Sequence, residues 1–187
     1  MEEEKRIKSI VLFIMMAVVV FSVILYVFVV SPRNRRETLG SENLTLELPI
    51  QRRDLRYAQE GIIPFCMDGN NGLTFEVTGN SSVYSSALGT IHDVVDNMVI
   101  VEIMNDVYLE YEPLSNINVA GGDAVGTSTV LGFSMGDYLT LRLKNDRSKI
   151  YECPYLYLDS LDKSVVDQGL EVLNFDGDIC ECLYLKY

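Results

Sequence analysis

The chain predicts a mainly β domain, a sandwich or barrel, preceded by one transmembrane helix. Three features predict it. An uninterrupted apolar run lies near the N-terminus. Short segments that alternate apolar and polar residues follow it, separated by Gly, Asn and Asp. The soluble remainder is acidic and long enough to bury a core without metal or disulfide staples.

Residues 10–30 carry no charge and are almost wholly apolar. About 20 residues at 1.5 Å rise cross a ~30 Å hydrocarbon core. Lys8 and Arg33 bracket the run, and Tyr26 sits near its end, where an interfacial aromatic helps anchor a helix. A signal peptide would be shorter and would end on small residues, whereas this run closes on Phe28, Val29, Val30, Ser31 and Pro32. A span over 10–31 is therefore expected. Lys5, Arg6 and Lys8 before it balance Arg33, Arg35 and Arg36 after it. The short N-terminal tail, 1–9, favours an inside tail and a C-terminal domain outside the cell membrane.

Residues 32–60 read as a juxtamembrane connector, although Leu44-Thr45-Leu46-Glu47-Leu48 alternates like a short strand. Beyond it, alternation recurs at 73–77, 98–103, 107–111 and 138–143, and 151–158 is β-prone. Turn residues separate these runs, as in Gly121-Gly122-Asp123 and Asn145-Asp146. Residues 160–173 have Leu161, Val165, Val166 and Leu170 at near-helical spacing, and read equally as a helix or as a loop and a strand. Asn174 to Asp178 resembles a hairpin turn.

The net charge of −12 repels phosphates and argues against nucleic-acid binding. Cys66, Cys153, Cys180 and Cys182 allow two disulfides in any of three pairings, or buried thiols. Cys-x-Cys is a poor match to zinc-ligand spacing. No nucleophile elbow or phosphate loop is present, and no cofactor is expected.

Four segments in order carry a family resemblance. They are Asn70-Asn71-Gly72-Leu73-Thr74, the stretch from Tyr108 to Ser115, the glycine-rich Val119 to Gly132, and Gly136-Asp137-Tyr138-Leu139-Thr140-Leu141-Arg142-Leu143. Together they resemble the zinc-dependent M23 peptidases of the lysostaphin or LytM type, over roughly half the chain. The resemblance implies a barrel-sandwich, M23-like β domain at 61–158 and a C-terminal extension, 159–187, packed on it. It also implies where a metal site would stand. The family's metal His and Asp fall at Asn70 and Thr74. A catalytic His falls at Pro113, and a paired His-x-His falls at Tyr138 and Thr140.

None of those residues is a zinc ligand at neutral pH, and His92 is the one histidine in the chain. One imidazole cannot make a two- or three-His site, whatever the alignment. The expectation is a pseudo-peptidase with no metal and no catalytic residues. It would act as a scaffold in a membrane complex of the cell envelope, as degenerate members of the family do in cell division and sporulation. Its partner would be a membrane protein with an extracytoplasmic domain, met through Tyr84, Tyr108 and Tyr111. A peptidoglycan-binding module and the barrel-sandwich part of a transport adaptor are the alternatives.

Overall fold

The computed structural model of the chain describes residues 44–56, 62–172, 178–180 and 184–186. The expected span at 10–31, the tail before it and most of the turn at 174–178 lie outside the described residues. No helix among the described residues is long and apolar enough to cross a membrane.

Strands follow one another as the alternation predicts. They are β1 (Ile62–Ile63), β2 (Leu73–Glu76), β3 (Ser82–Tyr84), β4 (Gly89–Val95), β5 (Met98–Met104), β6 (Val107–Glu112), β7 (Leu114–Ser115), β8 (Ala124–Val125), β9 (Val130–Ser134), β10 (Tyr138–Asn145), β11 (Ile150–Glu152) and β12 (Tyr184–Lys186). A helix, α1 (Ser160–Val172), stands where the sequence allowed a helix or a loop and a strand. The larger sheet runs β1-β2-β10-β6-β5-β4-β8, with β11 and β12 continuing from β10. The smaller sheet runs β3-β9-β7.

Alternation fixes which face of each strand is dry, because side chains two apart share a face. On β10, Leu139, Leu141 and Leu143 are fully buried. Antiparallel pairing sets Leu141 opposite Tyr111 and Leu143 opposite Leu109 on β6. On the other side Leu139 lies opposite Phe75, and Leu141 opposite Leu73, on β2. Val99 and Val101 of β5 extend the layer by pairing with Tyr111 and Leu109. A one-residue slip would turn this whole layer to solvent.

Gly72 stands where β2 meets β10. A Cβ there would lie 2.7 Å from the Leu141 carbonyl oxygen and 2.7 Å from Thr140 Cγ2. Glycine is thus required for the two backbones to approach.

Two sequence expectations change. Residues 151–158 do not form one strand. β11 stops at Glu152, and Pro154–Tyr157 is a 3-10 turn. Pro154 lacks the N–H a ladder needs and its ring sets φ, so the strand cannot continue. Residues 44–56 are also not a free connector. Leu44, Leu46, Leu48, Ile50 and Leu55 are buried in the core. Leu46 donates its N–H to Tyr157 O at 2.8 Å, and its carbonyl accepts from Asp159 N–H at 3.0 Å. Glu47 N–H donates to Ser86 O at 2.8 Å. The short strand that the alternation at 44–48 suggests does not form: the segment meets its neighbours through isolated bridges, Leu46 with Leu158 and Ile50 with Val83, and not a full ladder.

Asp159 begins α1, its carboxylate accepting from Asp162 N–H at 2.7 Å. That satisfies one of the donors a helix start leaves unpaired. Val165, Val166 and Leu170 form the buried stripe of the helix. Cys153 and Cys180 form a disulfide with Cα atoms 5.9 Å apart. Cys66 is disulfide-bonded too, and no described cysteine is free. Near Cys153, the buried Glu152 carboxylate accepts from Asn145 Nδ2 at 3.0 Å and from the Tyr157 hydroxyl. Burial, then the carboxylate beside it, pushes the Tyr157 phenol well up.

Two outcomes are expected in the purified protein. Gly72→Ala should lower unfolding free energy by about 1–3 kcal/mol, the usual cost of forcing volume into a packed site, and urea denaturation checks it. The Cys153–Cys180 bond closes a loop of sequence separation 27. Cys153→Ala with Cys180→Ala should cost roughly 3 kcal/mol on the chain-entropy account, seen as a lower thermal midpoint. A midpoint unchanged to within a degree would count against that account.

Candidate functional site

The site lies on the face of the larger sheet opposite the core. Three elements build it. β10 contributes Thr140 and Arg142, which alternate with its buried leucines. β2 runs antiparallel beside it, with Thr74 opposite Thr140. β6 lies on the other side, with Glu112 opposite Thr140 and Glu110 opposite Arg142. The turn before β2 supplies Asn70, held by Asn70 N–H donating to Met67 O at 2.8 Å and Cys66 N–H donating to Asn70 O at 2.7 Å.

Three of the five positions singled out in the sequence come together here. Asn70 Nδ2 donates to Thr74 Oγ1 at 3.2 Å, and Thr74 Oγ1 lies 2.8 Å from Thr140 Oγ1. The Asn70 amide is used at both ends. Its nitrogen also lies 3.4 Å from the carbonyl oxygens of Ile63 and Pro64, and its oxygen accepts from Gly72 N–H at 3.2 Å. The side chains therefore form a continuous run of neutral hydrogen bonds from Asn70 through Thr74 to Thr140, and Thr74 is buried within it.

The other two positions stand at the margin. Tyr138 begins β10, exposed at the rim and opposite Glu76. Pro113 follows Glu112 through a cis peptide bond, and its carbonyl accepts from Met135 N–H at 3.0 Å.

The M23 resemblance implies zinc, and these residues do not fit it. Zinc is bound by imidazole, thiolate or carboxylate. The converging groups here are one amide and two hydroxyls, already bonded to one another. Among the described residues no three His, Cys, Asp or Glu are grouped to hold a metal. His92 sits at a β-bulge in β4, between Ile91 and Asp93, exposed and edge-on to Tyr108 with ring centroids 4.8 Å apart.

Beside the hydrogen-bonded run lies an ionic cluster that the motif comparison missed. The Arg142 guanidinium donates to a Glu112 carboxylate oxygen and to Asn71 Oδ1. Its Nη1 is 4.0 Å from Glu110 Oε2. Burial pushes the Glu110 carboxyl above its ordinary range, with Lys144 and Arg142 acting against it. Burial likewise raises the Tyr151 phenol, whose neighbour is Glu110. The signal was present in the sequence. Glu110-x-Glu112 and Thr140-x-Arg142 alternate on segments of opposite charge, which antiparallel neighbours bring face to face.

The three candidate interface tyrosines do not share a surface. Tyr111 is a correction. It is fully buried on the core face of β6, and its hydroxyl accepts from Ser86 N–H at 2.7 Å. Alternation puts it in register with Leu109, so it cannot meet a partner. Tyr108 is half-buried beside His92 on the site's face. Tyr84 is half-buried on the smaller sheet, where its hydroxyl accepts from Gln51 Nε2 at 2.8 Å.

No protein-family profile and no curated protein sequence matches the chain. Solved structures do. The catalytic domain of the prophage-encoded M23 protein EnpA from Enterococcus faecalis is 16% identical, at TM-score 0.44, over 53% of this chain and 86% of that one. Pseudoalterin, an M23 metalloprotease from the deep sea, is 17% identical, at TM-score 0.43, over 56% and 72%. The SpoIIQ–SpoIIIAH pore-forming complex is 18% identical, at TM-score 0.45, over 68% and 91%. The chain is similar in fold to M23 peptidase domains and to the SpoIIQ–SpoIIIAH complex.

Proposed function

We propose that this chain is a non-catalytic, membrane-anchored scaffold of the cell envelope, whose β domain binds another membrane protein on the outer side. One observation carries the loss of catalysis. At three of the positions where the family resemblance puts metal and catalytic residues, Asn70, Thr74 and Thr140 bond to each other. Amide and hydroxyl groups neither hold zinc nor lower the pKa of a bound water, so no hydrolytic step can be written through them. The apolar run at 10–30 supports the anchor. The face around Arg142 and Glu112 supports binding, because a directional cluster of opposite charges discriminates between partners more than it adds affinity.

The full chain purified in detergent should carry zinc far below one ion per molecule by elemental analysis, and a chelator should leave its thermal midpoint in place. Stoichiometric zinc would sink the pseudo-peptidase reading. From mildly solubilised membranes, the tagged chain should recover a second membrane protein near one to one, and Arg142→Ala should weaken that recovery. Sedimentation of the chain with purified peptidoglycan, with no protein co-purifying, would instead establish the glycan-binding alternative.

A further inference from the structure

Between Arg56 and Arg142 the chain holds eleven Asp and Glu residues and no Lys or Arg, against a net charge of −12 for the whole. That stretch contains all of β4, β5 and β6, so three neighbouring strands carry acidic side chains and no Lys or Arg. Register shows which side chains point outward together, because residues directly opposite on antiparallel strands share a face. Arg142 and Glu110 lie opposite each other on the face away from the core. Ile100 continues that row, opposite both Glu110 and Asp93. In the next row Glu102 lies opposite both Tyr108 and Thr90. Val99 is buried in the core, so its neighbours Met98 and Ile100 point outward, and Val95 lies opposite Met98.

The result is an apolar strip, Val95, Met98 and Ile100, bordered by carboxylates. Val95 is 42% exposed, Asp93 is exposed, and Met98, Ile100 and Glu102 are half-buried. The nearest cations, on β10, are already engaged. The Arg142 guanidinium is held by Glu112, and Lys144 Nζ lies 3.4 Å from Asp146. Among the described residues Asp93 and Glu102 stand in no ion pair. Tyr108 registers the local charge, since burial and then the Glu102, Asp146 and Asp106 carboxylates push its phenol above the ordinary value. A carboxylate without a counterion beside outward-facing aliphatic surface fits one kind of side chain. Lys and Arg lay an apolar stem on such a surface and carry the charge to its edge. A second copy of this chain would set the same carboxylates against each other, and nucleic acid would be repelled likewise.

From these observations we infer that the outer face of β4, β5 and β6 docks a basic segment of the protein partner, with Lys or Arg stems over Met98 and Ile100 and their charged heads at Asp93 and Glu102. The inference rests on the scaffold reading above and names the chemistry of the contact. Charge draws the segment to this side of the sheet, and the apolar strip fixes where it lies. The face is continuous with the Arg142 cluster, because Glu110 belongs to both.

The test uses the full chain in nonionic detergent and a fluorescent peptide of alternating Lys and Val, followed by anisotropy. Asp93→Asn with Glu102→Gln should weaken binding about fivefold, as the loss of two surface ion pairs requires. Asn keeps the side-chain acceptor that Val94 N–H uses at Asp93. Glu47→Gln with Glu171→Gln removes as much charge from exposed positions elsewhere and should change binding less than about twofold. Ile100→Thr keeps the charge and the strand preference and should weaken binding about threefold through lost apolar contact. Equal losses in the two double variants overturn the inference, because the peptide then reads net charge alone. Unchanged binding by Ile100→Thr overturns it too, because the strip then has no part. Recovery of the partner from solubilised membranes separates this face from the scaffold reading. If the tagged chain recovers a membrane protein and Asp93→Asn with Glu102→Gln leaves that recovery unchanged, the docking face fails and the scaffold stands. If the peptide results hold and no protein is recovered, the scaffold reading fails and the face stands as a surface for basic segments.

Discussion

β10 is the strand on which the rest of the domain depends. It pairs with β2 and β11 along one side and with β6 along the other. Its alternate residues face opposite ways, so eight residues supply both the centre of the core and the floor of the candidate site. The two roles cannot be separated. The same register that buries Leu141 between Tyr111 and Leu73 sets Thr140 against Thr74 and Arg142 against Glu110. Any shift by one residue would bury an arginine and expose three leucines, and burying an unpaired guanidinium costs far more than the backbone bonds return. The site is therefore as rigid as the core it is built on.

The chemistry of that site follows from what the approach of the strands leaves unpaired. Gly72 lets β2 lie close to β10, which brings the threonine hydroxyls within 2.8 Å. Asn70 then extends the run from the preceding turn. Arg142 is held between Glu112, Asn71 and Glu110, a partly buried arrangement whose net stabilisation is small because desolvation offsets attraction. A polar face whose groups are bonded to one another is poorly suited to activating water.

Segments far apart in sequence close the two ends of the domain. Residues 44–50 pass between the Ser86 and Tyr157 loops, while Cys180 returns to Cys153 beside the buried Glu152. The entry of the chain and its last described turns are thus both locked to the sheet by backbone bonds or by a covalent bond.

The sequence by itself determined the strands β2, β5, β6 and β10, the faces they bury, and which residue types stand at Asn70, Thr74 and Thr140. These are local properties, set by a period of two and by fixed spacings that any single segment displays. It also determined that the donor set was wrong for zinc, since that needs only residue identity. Tertiary structure decided the rest. Tyr111 alternates with Val107 and Leu109 on the apolar face of β6, and the tertiary structure supplied what covers that face, with Val99 and Leu141 paired on either side of it. The four cysteines allowed three pairings, and only the return of residues 178–180 selects Cys153 with Cys180. The alternation at 44–48 marked an apolar face without saying what would cover it. Arg142 met Glu110 and Glu112 because β6 and β10, some thirty residues apart, came to lie side by side. Register and partner choice depend on contacts across the whole chain, and no window of sequence contains both halves of such a contact.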